Sequence, residues 1–256
     1  MNYKILVNKK IWKSWWIILP ASLFVSYYYF NNMDLYNGMA GGKSFQLGEL
    51  FLVMYGSLEP GLIKQVLPLL MLLYPLFLLV YYLGNDIQDF YKTNAKYIFT
   101  RTQNRMKWSV IYLLRLFISI IVFYFIQDIG TLAVGLVKGA RVSCGDFKIL
   151  FSVFLIQLAA GFFLLLILNL SAVLLGMTYS YILVFSICLF SFTVTGLISE
   201  YAPGIVEFTK WLPTSQFILG WHQENFTFAF TSIYLLVGFV ILITAFLVLT
   251  DRMDIY

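Results

Sequence analysis

Few residues in the 256-residue sequence have types and spacings that could do chemistry. Asn37 to Ser44, NGMAGGKS, ends in Gly42-Lys43-Ser44 as a phosphate-binding loop would. The pattern G-x-x-x-x-G-K-[ST] needs glycine where this chain has Asn37, and a buried strand before it with a helix after it. Neither condition is met, so the chain lacks an ATPase motif, and any ATP it depends on is held by another chain. His222 is the sole histidine, with only Glu224 as a nearby acid. A metal centre or a Ser-His triad would need further partners. The two cysteines, Cys144 and Cys188, form no CxxC and suggest neither a disulfide framework nor a metal site. No catalytic constellation, metal site or bound cofactor is expected.

Composition says what must position these residues. The chain is 61% hydrophobic and 11% charged, against roughly 25% charged residues in ordinary soluble domains. This is the composition of an integral membrane protein. The net charge of +5 comes mostly from Lys and Arg near the ends of apolar runs, which suits anionic lipid and argues against nucleic acid. The N-terminal basic segment precedes a bulky aromatic run with no small-x-small cleavage site, so it reads as a retained first span rather than a signal peptide.

A span needs about 20 mostly apolar residues to cross a hydrocarbon core of about 30 Å. Six runs qualify: Trp12 to Phe30, Leu62 to Leu83, Trp108 to Gln127, Ile149 to Leu170, Ser180 to Ile198 and Ala229 to Thr250. The expected fold is therefore all-α, a single polytopic membrane domain over residues 1–256. Phe45 to Leu58 reads as an amphipathic helix lying on the membrane. Asp128 to Lys148 reads as a glycine-punctuated connection whose apolar middle, Ile129 to Val137, could continue the third span or dip back into the bilayer. Gly176 to Tyr179 reads as a short link, and Pro203 to Phe228 as a re-entrant or interfacial segment.

Lys and Arg set the orientation. Four lysines precede Trp15 and five basic residues lie in Gly84 to Lys107, whereas Asn31 to Pro60 and Ser199 to Phe228 carry one lysine each. The rich segments are expected in the cytoplasm, with both termini inside. The Gly84 to Lys107 island interleaves Phe90, Tyr91, Tyr97, Ile98 and Phe99 with Asp86, Asp89, Lys92, Lys96, Arg101 and Arg105, the composition of an interfacial helix that docks on a protein. Arg115, about two turns into the third span, is expected to reach back to the headgroups or to pair with Asp86 or Asp89.

This order of parts resembles the membrane subunit of ABC-2 type transporters, also called type V ABC exporters, of the Gram-positive kind. The matching features are the basic lead-in Lys4 to Lys13, six spans, the island between spans two and three, and WLPTSQFILGW from Trp211 to Trp221 before the last span. The resemblance covers essentially the whole chain and rests on topology more than on invariant residues. It implies a permease that forms a homodimer or a heterodimer with a second permease and couples to cytoplasmic ABC ATPase subunits carrying ATP and Mg. It further implies a coupling helix within about Asp86 to Arg105, with Asp86, Asp89, Tyr97, Phe99, Arg101 and Arg105 at the ATPase face. The N-terminal interfacial helix would hold Lys9, Lys10 and Lys13, and the re-entrant segment Trp211, Pro213 and Trp221. Spans one, two and five would line the dimer interface and cargo path.

Two other readings compete. An ion-coupled secondary transporter would carry Asp, Glu or His inside its spans, and the six runs hold none near their middles. A non-transporting membrane partner or immunity protein would leave little trace in sequence. The expected cargo of the exporter is a peptide, lipid or lipophilic antimicrobial, by family analogy alone.

Overall fold

The computed structural model describes residues 9–36, 46–56, 66–84, 105–201, 203–218 and 227–252. Long helices account for most of them: α1 (Lys9–Tyr36), α3 (Val66–Leu83), α4 (Arg105–Val137), α5 (Cys144–Leu175), α6 (Met177–Tyr201) and α7 (Phe228–Arg252). Between α1 and α3 lies the short α2 (Leu47–Phe51), which runs on as a π-helical turn over Leu52–Gly56. Between α6 and α7 lie 3-10 segments over Pro203–Trp211 and Ser215–Phe217. There is no strand among the described residues, only an isolated bridge between Gln46 and Arg141.

Among the described residues, four helices are long and apolar enough to cross a membrane: Met106–Val137, Cys144–Leu175, Met177–Ile198 and Ala229–Leu249. Shorter apolar stretches occupy Trp16–Tyr28 in α1 and Leu73–Leu83 in α3. The chain is thus an all-helical, multi-pass membrane protein. α5 is hydrophobic all round, which suits a helix enclosed by others. Its middle, including Ile156, Leu164, Leu165, Leu166 and Leu168, is buried. α7 instead exposes Ile233, Leu236, Val237, Val240 and Ile241, as a helix facing lipid does.

Side-chain contacts give the helix directions. Ser22 of α1 donates to the Gln127 carbonyl at 2.7 Å and Ser26 meets Thr131 at 3.0 Å, both at a separation of 105 residues. Numbers rise together, so α1 and α4 run parallel. α5 runs against α4: Tyr112 donates to Asn169 at 3.2 Å, while Tyr124 packs on Gly161. α3 ends where Gly84 meets Leu168, and α7 passes Phe163 at Gly238 before Phe246 stacks on Tyr112. The six long helices therefore alternate in direction. Lys9, Gly84, Arg105, Gly176 and Arg252 mark one end of the bundle, and Tyr36, Val66, the α4–α5 turn and Phe228 mark the other.

Three boundaries depart from the sequence reading. The third helix does not stop at Gln127 but continues to Val137, so the Asp128 to Lys148 connection shrinks to residues 138–143. The glycines that look like loop punctuation are contact points: Gly130 faces Ser22, and Gly135 faces Leu47 and Leu50. The true stop is Gly139, at φ +81°, where Gly139 N–H bonds the Leu136 carbonyl at 3.1 Å and Ala140 N–H the Gly135 carbonyl at 2.9 Å. That pair of bonds is the Schellman arrangement. α5 then starts at Ser143, whose N–H is held by the Asp146 carboxylate at 2.7 Å. The predicted link Gly176 to Tyr179 is the single residue Gly176, at φ +83°, a conformation glycine adopts without steric cost. Finally, of the segment expected to lie on the membrane at Phe45 to Leu58, the described residues 46–56 are instead packed into the bundle. Leu47, Leu50, Phe51, Met54 and Tyr55 are all buried, among α1, α4 and α5.

The α1–α4 register is testable by crosslinking. A Cβ at Gly130 would lie 3.1 Å from that of Ser22, close to the roughly 3.5 to 4.5 Å of a disulfide. Ser22→Cys with Gly130→Cys, in a chain with Cys144→Ser and Cys188→Ala, should join α1 to α4 on oxidation. After proteolysis at a site inserted between α3 and α4, the fragments should stay together until reduced; fragments that separate without reductant contradict the register.

Candidate functional site

Two segments enter the bundle from the same end. The first, α2 and its π-helical turn, is pinned to the α4–α5 turn by Leu47 N–H on the Arg141 carbonyl at 2.9 Å. It points Tyr55 inward, where the phenol meets Thr131 at 2.8 Å. The second is the 3-10 chain after α6. Thr214 bonds Ser191, which lies about 15 Å back along α6 from Tyr201 at 1.5 Å per residue. The chain therefore folds back to the middle of the helix it has just left.

Backbone groups inside a bilayer need partners within the protein, and side chains supply several here. Ser215 Oγ bonds the Leu212 carbonyl at 2.7 Å and also the Thr209 carbonyl. Gln216 caps the Lys210 carbonyl with its amide and accepts from Thr231 of α7 at 2.7 Å. Tyr234 donates to the Trp211 carbonyl at 3.1 Å, and the Trp211 ring packs edge-on against Phe230. These bonds fasten the second segment to α6 and α7.

The inner tips of the two segments close on one cavity of about 30 Å³. Tyr55 comes from the first, Phe217 and Ile218 from the second, and Tyr124 and Gln157 from α4 and α5. A cavity this size has room for about two water molecules. Tyr124 OH and both polar atoms of Gln157 lie buried without a hydrogen bond among the described residues. Three polar side chains thus converge on a space otherwise walled by apolar groups.

The polar residues of α4 share a face because Tyr124, Gln127, Asp128 and Thr131 follow the i, i+3, i+4, i+7 spacing of one helical stripe. Thr131 connects Ser26 of α1 to Tyr55. The Gln127 amide lies beside the Tyr55 phenol, yet neither of its polar atoms completes a well-formed hydrogen bond. Asp128 acts electrostatically on both Tyr55 and Tyr124, and its Oδ1 is sealed without a partner. No ion pair to Asp128 is present among the described residues; the ion pair found there joins Lys210 and Glu207 at 3.5 Å.

The depth of Asp128 follows from the helix register. The offset of 105 residues brings Lys10 of α1 near the level of Arg115 of α4. From Arg115 to the exposed Lys138 is about 34 Å of helix, close to a hydrocarbon core of about 30 Å. Asp128 lies about 20 Å from the first and about 15 Å from the second. The expectation that no acid lies near the middle of the runs used a third run ending at Gln127; the helix continues to Val137, so Asp128 lies within it.

The residues singled out by sequence divide three ways. Lys9, Lys10 and Lys13 lie in the first turns of α1, continuous with the span, and Arg105 begins α4. Arg115 is half-buried, with its Nε sealed and unbonded. Trp211 ends the first 3-10 segment, and Pro213 is in the turn after it. Asp86, Asp89, Tyr97, Phe99, Arg101 and Trp221 lie outside the described residues, as do His222 and the Gly42-Lys43-Ser44 loop. Cys144 is exposed and Cys188 buried, both as free thiols. No group of three His, Cys, Asp or Glu residues that could hold a metal occurs among the described residues. Sequence reasoning missed Tyr55, Tyr124, Gln127, Asp128, Thr131 and Gln157. The signal was the helical spacing of YFIQDIGT across a supposed span end.

No protein-family model, curated protein or solved structure matches the chain.

Thr131→Val keeps the side-chain shape but strips three bonds, to Tyr55, Ser26 and the Gln127 carbonyl, taking Thr131 from Tyr55 and leaving Ser26 with the Ser22 carbonyl. A buried polar group left unsatisfied costs about 1 to 3 kcal/mol. Thermal unfolding of the detergent-purified protein should show Thr131→Val melting below wild type and Thr131→Ser close to it. Equal melting of the two variants would place no weight on the Tyr55–Thr131–Ser26 chain.

Proposed function

We propose that the chain is the membrane permease subunit of an ATP-driven exporter of the ABC-2 type, crossing the bacterial cell membrane six times with both termini in the cytoplasm. The observation that carries this reading is the segment Pro203–Phe217, which turns back between α6 and α7 to the middle of the bundle. A re-entrant segment before the last span is the feature the resemblance requires. The alternating helix directions support the same reading, because Lys9, Gly84 and Arg105 then share an end, and residues 85–104 connect there.

In this reading two permease chains pair and two ATPase subunits dock beneath them. The island carrying Asp86, Asp89, Tyr97, Phe99, Arg101 and Arg105 receives the push of ATP-driven closure, and α3 and α4 carry it upward as rigid rods. The two inserted segments stand at the outer end of the path. Their tips meet at the cavity, so separating them opens the bundle outward to a peptide, lipid or lipophilic antimicrobial. ATP and Mg belong to the partner.

The position of Asp128 favours a second reading, ion-coupled secondary transport, because an acid inside a span is what such a transporter needs. The readings differ in their energy source. The tagged chain, extracted in mild detergent from its native host, should bring down a soluble ATPase whose hydrolysis rate changes with the permease present. Arg101→Glu with Arg105→Glu should abolish that association while leaving the chain folded in the membrane. Isolation of the chain alone, with transport that follows an imposed proton gradient, would replace the exporter with the secondary transporter.

A further inference from the structure

The carboxyl of Asp128 has no role in the exporter reading, and its surroundings are unusual for an acid. The elements around it supply hydroxyls and an amide rather than a charge partner among the described residues. α1 offers the hydroxyls of Ser22 and Ser26, already bonded to the Gln127 carbonyl, the Ser22 carbonyl and Thr131. The π-helical turn offers Tyr55 and α4 itself offers Tyr124, the two groups on which Asp128 acts; Tyr74 of α3 acts on Tyr55, and Gln157 of α5 lines the cavity with Tyr55 and Tyr124. Lys138, Arg141, Asp146 and Lys148 lie at the outer end of the bundle, Lys138 about 15 Å along the helix from Asp128. Thus no cation neutralises the carboxylate among the described residues.

Asp146 is the instructive contrast. It is the more fully enclosed of the two, at 1% exposure against a part-buried Asp128, yet its carboxylate accepts from Ser143 N–H at 2.7 Å at the start of α5, where the positive end of the helix favours a negative charge. Asp128 has neither bond nor dipole in its favour. An acid so placed is relieved of its charge by taking up a proton.

The same neighbourhood has unfilled hydrogen-bonding capacity and room for water. Tyr124 OH, one helical turn from Asp128, and both polar atoms of Gln157 are buried without partners, and both side chains line the cavity with Tyr55. Buried polar groups are ordinarily satisfied, by ordered water where protein does not reach. Three polar partners and space for about two molecules meet the conditions for bound water.

We infer that Asp128 is a proton-binding site in the membrane interior, its proton exchanging with water lodged between Tyr55, Tyr124 and Gln157. A water molecule takes the proton from the carboxyl as it passes one of its own to the next water, and the reverse path returns it. The site stands apart from the exporter reading, since a proton held here needs no ATPase.

Infrared spectroscopy of the full chain in lipid nanodiscs, with carbonyl-labelled aspartate, reads the site directly. At neutral pH the wild type should show the stretch of a protonated carboxyl that moves when the solvent is exchanged for heavy water. Asp128→Asn should remove that band and Asp146→Asn should leave it. Tyr124→Phe and Gln157→Leu keep the acid but disturb its path, so each should shift the band or slow its response to heavy water. The inference fails if no protonated aspartate is seen at neutral pH, if the band survives Asp128→Asn, or if it ignores heavy water. Should Asp128→Asn not fold, the other two variants decide: a band indifferent to both overturns the proposal.

Discussion

A helix that carries Tyr124, Gln127, Asp128 and Thr131 on one stripe through a membrane cannot turn that stripe to lipid, where no partner for a polar group exists. The stripe must be covered by protein, and the covering must itself be polar in places. α1 does this by running parallel to α4 and presenting Ser22 and Ser26 at matching heights. Parallel neighbours far apart in sequence become possible because α3 returns between them. Small residues let the backbones approach: Gly130 sits against Ser22, and a side chain there would collide with it. Close approach through small and hydroxyl residues is how helices associate in a solvent that gives no hydrophobic drive.

Two helices alone leave part of the stripe open, and the inserted segments close it. α2 and its π-helical turn bring Tyr55 to Thr131, and Gly48 packs so tightly on Asp146 that a β-carbon would fall 2.6 Å from its Oδ1. The 3-10 segments close the other side, with Phe217 and Ile218 against Phe192 of α6. Irregular backbone at this depth is tolerated because Ser215, Gln216, Thr214 and Tyr234 satisfy it or tie it to neighbouring helices.

Much of this was legible in the sequence, and the failures have specific causes. Apolar run length placed the cores of the long helices, and the Pro and Ser/Thr pattern of Pro203 to Phe228 marked a segment that is not a plain span. Hydropathy failed at Gln127-Asp128, because polarity there reads as a span end when the partner side chains, Ser22 and Tyr55, are 105 and more than 70 residues away. Glycines misled in the same stretch, since Gly130 and Gly135 serve contacts whereas Gly139 makes the turn. The burial of Leu47 to Tyr55 had no local signal either: an amphipathic pattern fits a membrane surface and a crevice between helices equally well. The cavity residues come from several elements, and no spacing along the chain announces them.

The account depends most on where the bilayer crosses α4. Leu114, Phe125 and Leu136 are exposed on that helix, about 16 Å apart in succession, and none belongs to the polar stripe. Single cysteines at these positions, spin-labelled in nanodiscs, report depth through their relative exposure to oxygen and to a water-soluble relaxing agent. The account predicts the label at 125 deepest and those at 114 and 136 near opposite surfaces. A label at 125 as exposed to the aqueous agent as either of the others would put Asp128 at the membrane edge and remove the polar interior from the bilayer.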